Sequence, residues 1–230
     1  MVPIVLGIFA IIAVVALLCM FGLFAILIAR AAKRRSYDTA RGQQMQLVAA
    51  QIGFTFQPQA ELSALPFFST FELFEGSPLK FENLMNGKIK GRDAWIFDLA
   101  YRNVGGRSGG TTTSRQTMVA MMSGDLKLPE FYLRPEGVIE KVLNSISQID
   151  IDFPERPSFS ERFLLYGKDV NSIRQIFDPP KLDFFEKNSN LSSFGRGNYL
   201  LAYFSRTPAV PSQIPQYLDL MTYLHHLFRS

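Results

Sequence analysis

A run of 26 residues without a single charge, Ile4 to Ala29, constrains this chain more than any other stretch. A helix rising 1.5 Å per residue would reach about 39 Å over that length, more than the roughly 30 Å hydrocarbon core of a bilayer. The run therefore predicts a transmembrane helix over 1–29, long enough to tilt. A cleaved secretory signal would place basic residues ahead of a shorter apolar core. Here Met1-Val2-Pro3 has none, and Arg30, Lys33, Arg34 and Arg35 follow the run instead. By the positive-inside bias, the expected topology is a single retained pass with the N-terminus outside and the rest of the chain cytoplasmic.

Within the span, Gly7, Ala10, Ala13, Ala16, Cys19, Gly22 and Ala25 recur at every third position, with Ala29 extending the face of Gly22 and Ala25. Rows at i plus 3 wind around a helix, so one crossing partner meets only part of them. Small residues let a second membrane helix approach closely, which makes these positions candidate helix-packing sites, although Ala and Gly are also common in spans that pack on nothing. The span carries no ionisable side chain other than Cys19, the only cysteine in the chain. That argues against an ion path through it, and against a disulfide framework or a cysteine metal site elsewhere.

Charge narrows the partners further. Of 24 basic and 20 acidic residues, five basic ones and Asp38 lie before residue 42, leaving 19 of each sign in 42–230. With 42–230 neutral on balance, a nucleic-acid footprint is not expected. The basic group at 30–35 sets topology, with anionic lipid head groups as its other reading.

A helical, basic juxtamembrane stalk is predicted over 30–53, ending at Gly53, followed by one domain over 54–230 of roughly 175 residues, enough for a real core. Short β-like pieces fall at Phe54–Phe56, Phe71–Phe74, Leu79–Ile89 and Ala94–Arg102, the last two a hairpin across Lys90 to Asp93. Trp95, Phe97 and Leu99 then share one face; Ile96, Asp98 and Ala100 share the other. A glycine-rich loop at 103–114 precedes a strand at Gln116–Met122. With no Gly-Lys-Ser/Thr ending and no helix pattern behind it, the loop reads as a long hairpin connection rather than a phosphate cradle. Its arginines, Arg107 and Arg115, make it a candidate partner-contact site.

An extended stretch over 128–136, an amphipathic helix with Val138, Ile139, Val142, Leu143 and Ile146, and strands at Ile149–Phe153 and Phe159–Gly167 come next. Period 2 would point Asp150 and Asp152 the same way. A carboxylate pair suits acid-base chemistry or a divalent ion, and equally an exposed strand face. Asp169 caps a helix to Phe177, Pro179-Pro180 separates it from another over Lys181–Lys187, and Leu191–Phe204 forms a hairpin. A helix over Gln216–Phe228 closes the chain, with His225 and His226 read as surface or boundary residues. The fold class is α+β: an N-terminal membrane helix, then a mainly antiparallel sheet with packed helices.

Ile96-Phe97-Asp98-Leu99-Ala100-Tyr101-Arg102, Arg115-Gln116-Thr117-Met118-Val119-Ala120, the Leu-Pro-x-Phe-x-Leu-Arg-Pro-Glu run at 128–136, Asp150-Ile151-Asp152-Phe153 and Phe159 to Asp169 resemble, in that order, an uncharacterised bacterial family. Its members are single-span, membrane-anchored proteins with one cytoplasmic α+β domain. The resemblance implies the bacterial inner membrane and the same topology, and lends no catalytic residue, cofactor or metal.

Three functions stay open. The first is a non-catalytic accessory or scaffolding subunit that binds other integral membrane proteins, as in a respiratory or photosynthetic complex. The second is a membrane-proximal sensor of lipid or a small ligand. The third is an enzyme using Asp150 and Asp152. No Ser-His, Cys-His or metal constellation is evident from the sequence, so the first is favoured, with no cofactor expected.

Overall fold

The computed structural model describes residues 2–68, 79–104, 111–136, 150–204 and 208–229; side chains are described from Leu17 on, except those of 18, 34, 35, 101–104 and 111–114. The expected strand at Phe71–Phe74, the helix with Val138 to Ile146, and Arg107 lie outside the described residues. The chain divides into two compact units, 1–44 and 45–230.

One continuous helix, α1 (Val2–Ile52), runs through both the expected span and the expected helical stalk. No proline interrupts 4–52, and the Ala-, Leu- and Gln-rich residues propagate a helix well. The described large apolar side chains from Leu17 to Ile28 are 50% to 66% exposed and lie on all sides of the helix. Among the described residues no helix is long and apolar enough to cross a membrane; the described side chains include only the C-terminal half of the Ile4–Ala29 run. Gly53 ends α1 as expected, at φ +73°. Its N–H donates to Ala50 O, and that of Phe54 to Ala49 O, the pairing of a Schellman cap. The second unit nevertheless begins at Met45 rather than residue 54, because Met45, Val48 and Ala49 are core residues.

The second unit is built on one antiparallel eight-stranded sheet. Its strands are β1 (Thr55–Ala60), β2 (Leu79–Ile89), β3 (Arg92–Val104), β4 (Thr111–Met122), β5 (Leu128–Pro135), β6 (Phe163–Tyr166), β7 (Leu191–Gly197) and β8 (Tyr199–Phe204). Their order is β1-β2-β3-β4-β8-β7-β5-β6. β2 and β3, and β7 and β8, meet through short turns. Lys90 and Gly91 both have positive φ, 48° and 82°, so two residues join β2 to β3 where four were expected; this backbone twist matches that of the strands.

Both faces of the sheet are buried along β3 and β8, which is why Ala94–Phe97 and Leu200–Tyr203 are unbroken apolar runs. One face carries α2 (Pro157–Ser160), α3 (Val170–Ile176), α4 (Pro179–Lys187), α5 (Ile214–Phe228) and the last turns of α1 over Ile96, Val119, Leu133 and Leu165. The other is aromatic. Phe67 and Phe68, following a 3-10 turn at Leu62–Ala64, pack on Trp95 and Phe81 with ring centroids 5.5 and 4.7 Å apart. Trp95, Phe97 and Leu99 lie on this aromatic face and Ile96 on the helix face, the alternation read from sequence.

Two expected strands are corrected. The stretch 159–167 splits into α2, opened by Pro157, and the shorter β6. Residues 150–153 are not a strand: Ile151 N–H donates to Leu165 O, and the side chain of Asp150 accepts from Leu165 N–H. A carboxylate thus takes the place of one backbone carbonyl along the edge of β6. The two prolines expected to separate α3 from α4 instead occupy the first turn of α4, capped by Asp178, where their missing N–H groups cost nothing.

Candidate functional site

The sequence-level candidates fall on both units. On α1, Gly22 has no atom within 4 Å of where a Cβ would be, and Ala25 and Ala29 are exposed, so that face is open for packing. At Gly7, Ala10, Ala13 and Ala16, as at Arg34 and Arg35, only the helical backbone is described. Arg30 and Lys33 are exposed one and four positions beyond Ala29. Arg115 belongs to strand β4 rather than to a loop, and its guanidinium reaches over β3 to Glu82, with Nε 2.8 Å from Oε2.

Asp150 and Asp152 do not form a carboxylate pair facing solvent. Asp150 is half-buried against β6, and burial raises its pKa, with the hydrogen bond from Leu165 opposing; Asp152 is exposed. Among the described residues no group of His, Cys, Asp and Glu gathers as a metal set. A groove of about 380 Å³ opens at the sheet edge between Gln59–Leu62 and Leu79–Glu82, with Glu61, Lys80 and Glu82 as its charges.

The chemistry-bearing group that sequence reading missed lies where β3 begins, β4 ends and α5 ends. His225 is 4% exposed, correcting its reading as a surface or boundary residue; His226 is exposed. Its Nε2 is 3.0 Å from Ser123 Oγ. That hydroxyl is also 2.8 Å from Asp125 Oδ1 and 3.1 Å from Arg92 Nε, and Arg92 reaches Asp125 Oδ2 at 3.3 Å.

Proton counting decides what this serine can do. Hydrogen bonds from Ser123 and Arg92 hold Asp125 below the usual carboxylate range, so it is ionised and can only accept. Ser123 donates its one proton there. The Arg92 N–H and the imidazole must then both donate to the serine oxygen, which places the His225 proton on Nε2. In a nucleophile-base pair the imidazole would instead accept from the serine. The arrangement holds a helix end to a sheet end. The signal for it in the sequence is faint: Ser123 and Asp125 stand two apart in a turn, about 100 residues from the histidine.

A second buried polar group centres on Asp98, fully enclosed in β3 on the helix face. It accepts from Asn83 Nδ2 at 2.8 Å and Thr117 Oγ1 at 2.7 Å, and Thr117 in turn accepts from Ala209 N–H at 2.9 Å. Asn83 sits in a β-bulge at φ +54°, a backbone state that asparagine tolerates better than most residues.

These elements define an α+β protein with one antiparallel sheet, helices massed on one face and a long N-terminal helix. Among solved structures, the crystal structure of the mycobacterial trehalose monomycolate transport factor A, TtfA, has this fold: TM-score 0.58 at 16% identity, covering 82% of this chain and 94% of that one. At that identity the likeness is one of fold alone. No protein-family model and no curated protein matches the chain.

Proposed function

We propose that the chain is a membrane-anchored accessory or scaffolding subunit: the N-terminal part of α1 spans the bacterial inner membrane and packs on other integral membrane proteins, and the domain lies on the cytoplasmic side. The observation that carries this reading is a helix apolar on every side from Leu17 to Ile28, continuing an uncharged run that begins at Ile4 and leading directly into Arg30 and Lys33. A helix surface of that kind is stable against lipid or another helix and unstable in water. The open positions around Gly22 and Ala25 suit close approach by a second helix. The saturated bonding of Ser123 and the edge role of Asp150 favour a binding role over a catalytic one.

The test is a Gly22→Leu/Ala25→Leu variant expressed in the native membrane. It should leave its assembly, eluting at lower mass after gentle solubilisation, while its domain melts as in the wild type, because the added bulk blocks helix approach without touching the sheet. Unchanged assembly would contradict packing through this face.

A further inference from the structure

One face of α1 just past the apolar run carries charge and an aromatic ring together. Arg30, Lys33 and Tyr37 are spaced three and four apart, so they stack on the same side of the continuous helix, and all three are exposed, Tyr37 by 58%. Among the described residues no carboxylate pairs with either cation.

Direction matters as much as spacing. Side chains on a helix lean toward its N-terminus, which for α1 is the side of the apolar run. The lean is common to all three, so two cations and a hydroxyl donor follow one another along one strip, over about 10 Å of helix just past the apolar run. The remainder of the chain from residue 42 on is neutral in sum, so the basic excess lies in 30–41, where Arg30 and Lys33 stand with Arg34, Arg35 and Arg41 against Asp38.

We infer that the Arg30-Lys33-Tyr37 face of α1 is a binding strip for anionic phospholipid head groups, retaining them beside the protein rather than merely setting its orientation. This rests on the membrane-anchor reading above. Guanidinium and ammonium groups supply charge-assisted bonds to phosphate oxygens, the phenol supplies a further donor, and tyrosine favours the interfacial depth.

The experiment reconstitutes the full chain in phosphatidylcholine vesicles containing trace spin-labelled phosphatidylglycerol or spin-labelled phosphatidylcholine. The readout is the share of each label in the motionally restricted lipid at the protein surface. The wild type should enrich phosphatidylglycerol several-fold. An Arg30→Ala/Lys33→Ala/Ala31→Arg/Ala32→Lys variant keeps the net charge and its depth but moves the cations off the strip, and it should lose most of that enrichment. Equal enrichment in the variant and the wild type would overturn the strip, as would restricted lipid without headgroup preference, and either result leaves the anchor standing. Absence of any restricted lipid would overturn both the anchor and the strip.

Discussion

Ser123 is the residue on which the tie between β4 and α5 most depends, since its one oxygen serves Asp125, Arg92 and His225 together. Ser123→Ala would leave the His225 and Arg92 donors with a methyl group between them. It should lower stability by about 1–3 kcal/mol, read from urea unfolding of the full-length protein in micelles by fluorescence of its single tryptophan, Trp95. His225 adds a pH dependence of known sign. Burial holds its imidazole below the ordinary value of 6.5, helped by Arg92, Arg229 and His226 and opposed by Asp125. The unfolded chain therefore takes up the proton first as pH falls, so this contribution is intact above about pH 6.5 and is lost as pH drops through the folded value. The urea midpoint of the wild type should fall more steeply on acidification than that of His225→Gln. Parallel slopes would show that His225 is not buried neutral.

Among the elements, β6 is the one whose edge depends on a single side chain. Only four residues long, it lies at the margin of the sheet, and Asp150 and Ile151 cover its outer side at Leu165. Asp150→Ala should free the Leu165 amide and raise its hydrogen-exchange rate, with a stability loss of about 1–2 kcal/mol and little change in β2 or β3. Unaltered exchange at Leu165 would contradict the edge role. Where periodicity and turn chemistry act locally, the elements were legible: the bounds of β2, the alternation of β3, the Gly53 cap and the Asp169 cap all follow from residues within a few positions of each other. The misreadings have long-range causes. Residues 150–153 alternate like a strand, yet they contribute a carboxylate and one amide to an edge 15 residues away. Residues 159–167 look uniformly extended, but Pro157 and the bonds of Arg156 N–H and Phe159 N–H turn the first part into α2. His225 was misplaced because only its distant partner Ser123 shows that it faces inward. Asp98 likewise gave no sign that Asn83 and Thr117 would enclose it.

For the whole molecule, a long helix and a compact sheet domain divide the labour proposed here. The domain buries both faces of its sheet, and its described charged clusters are largely bonded among themselves, as Arg115 is to Glu82 and Arg156 to Asp183 and Glu186. The helix does the reverse, exposing apolar side chains that need a partner phase. The measurement that tests this division most directly is gentle solubilisation of native membranes, purification of the intact protein, and mass spectrometry of what accompanies it. Extraction only by detergent is expected, together with at least one integral membrane protein in stoichiometric amount. Recovery of the protein as a lone monomer, or its release from membranes by salt alone, would contradict it.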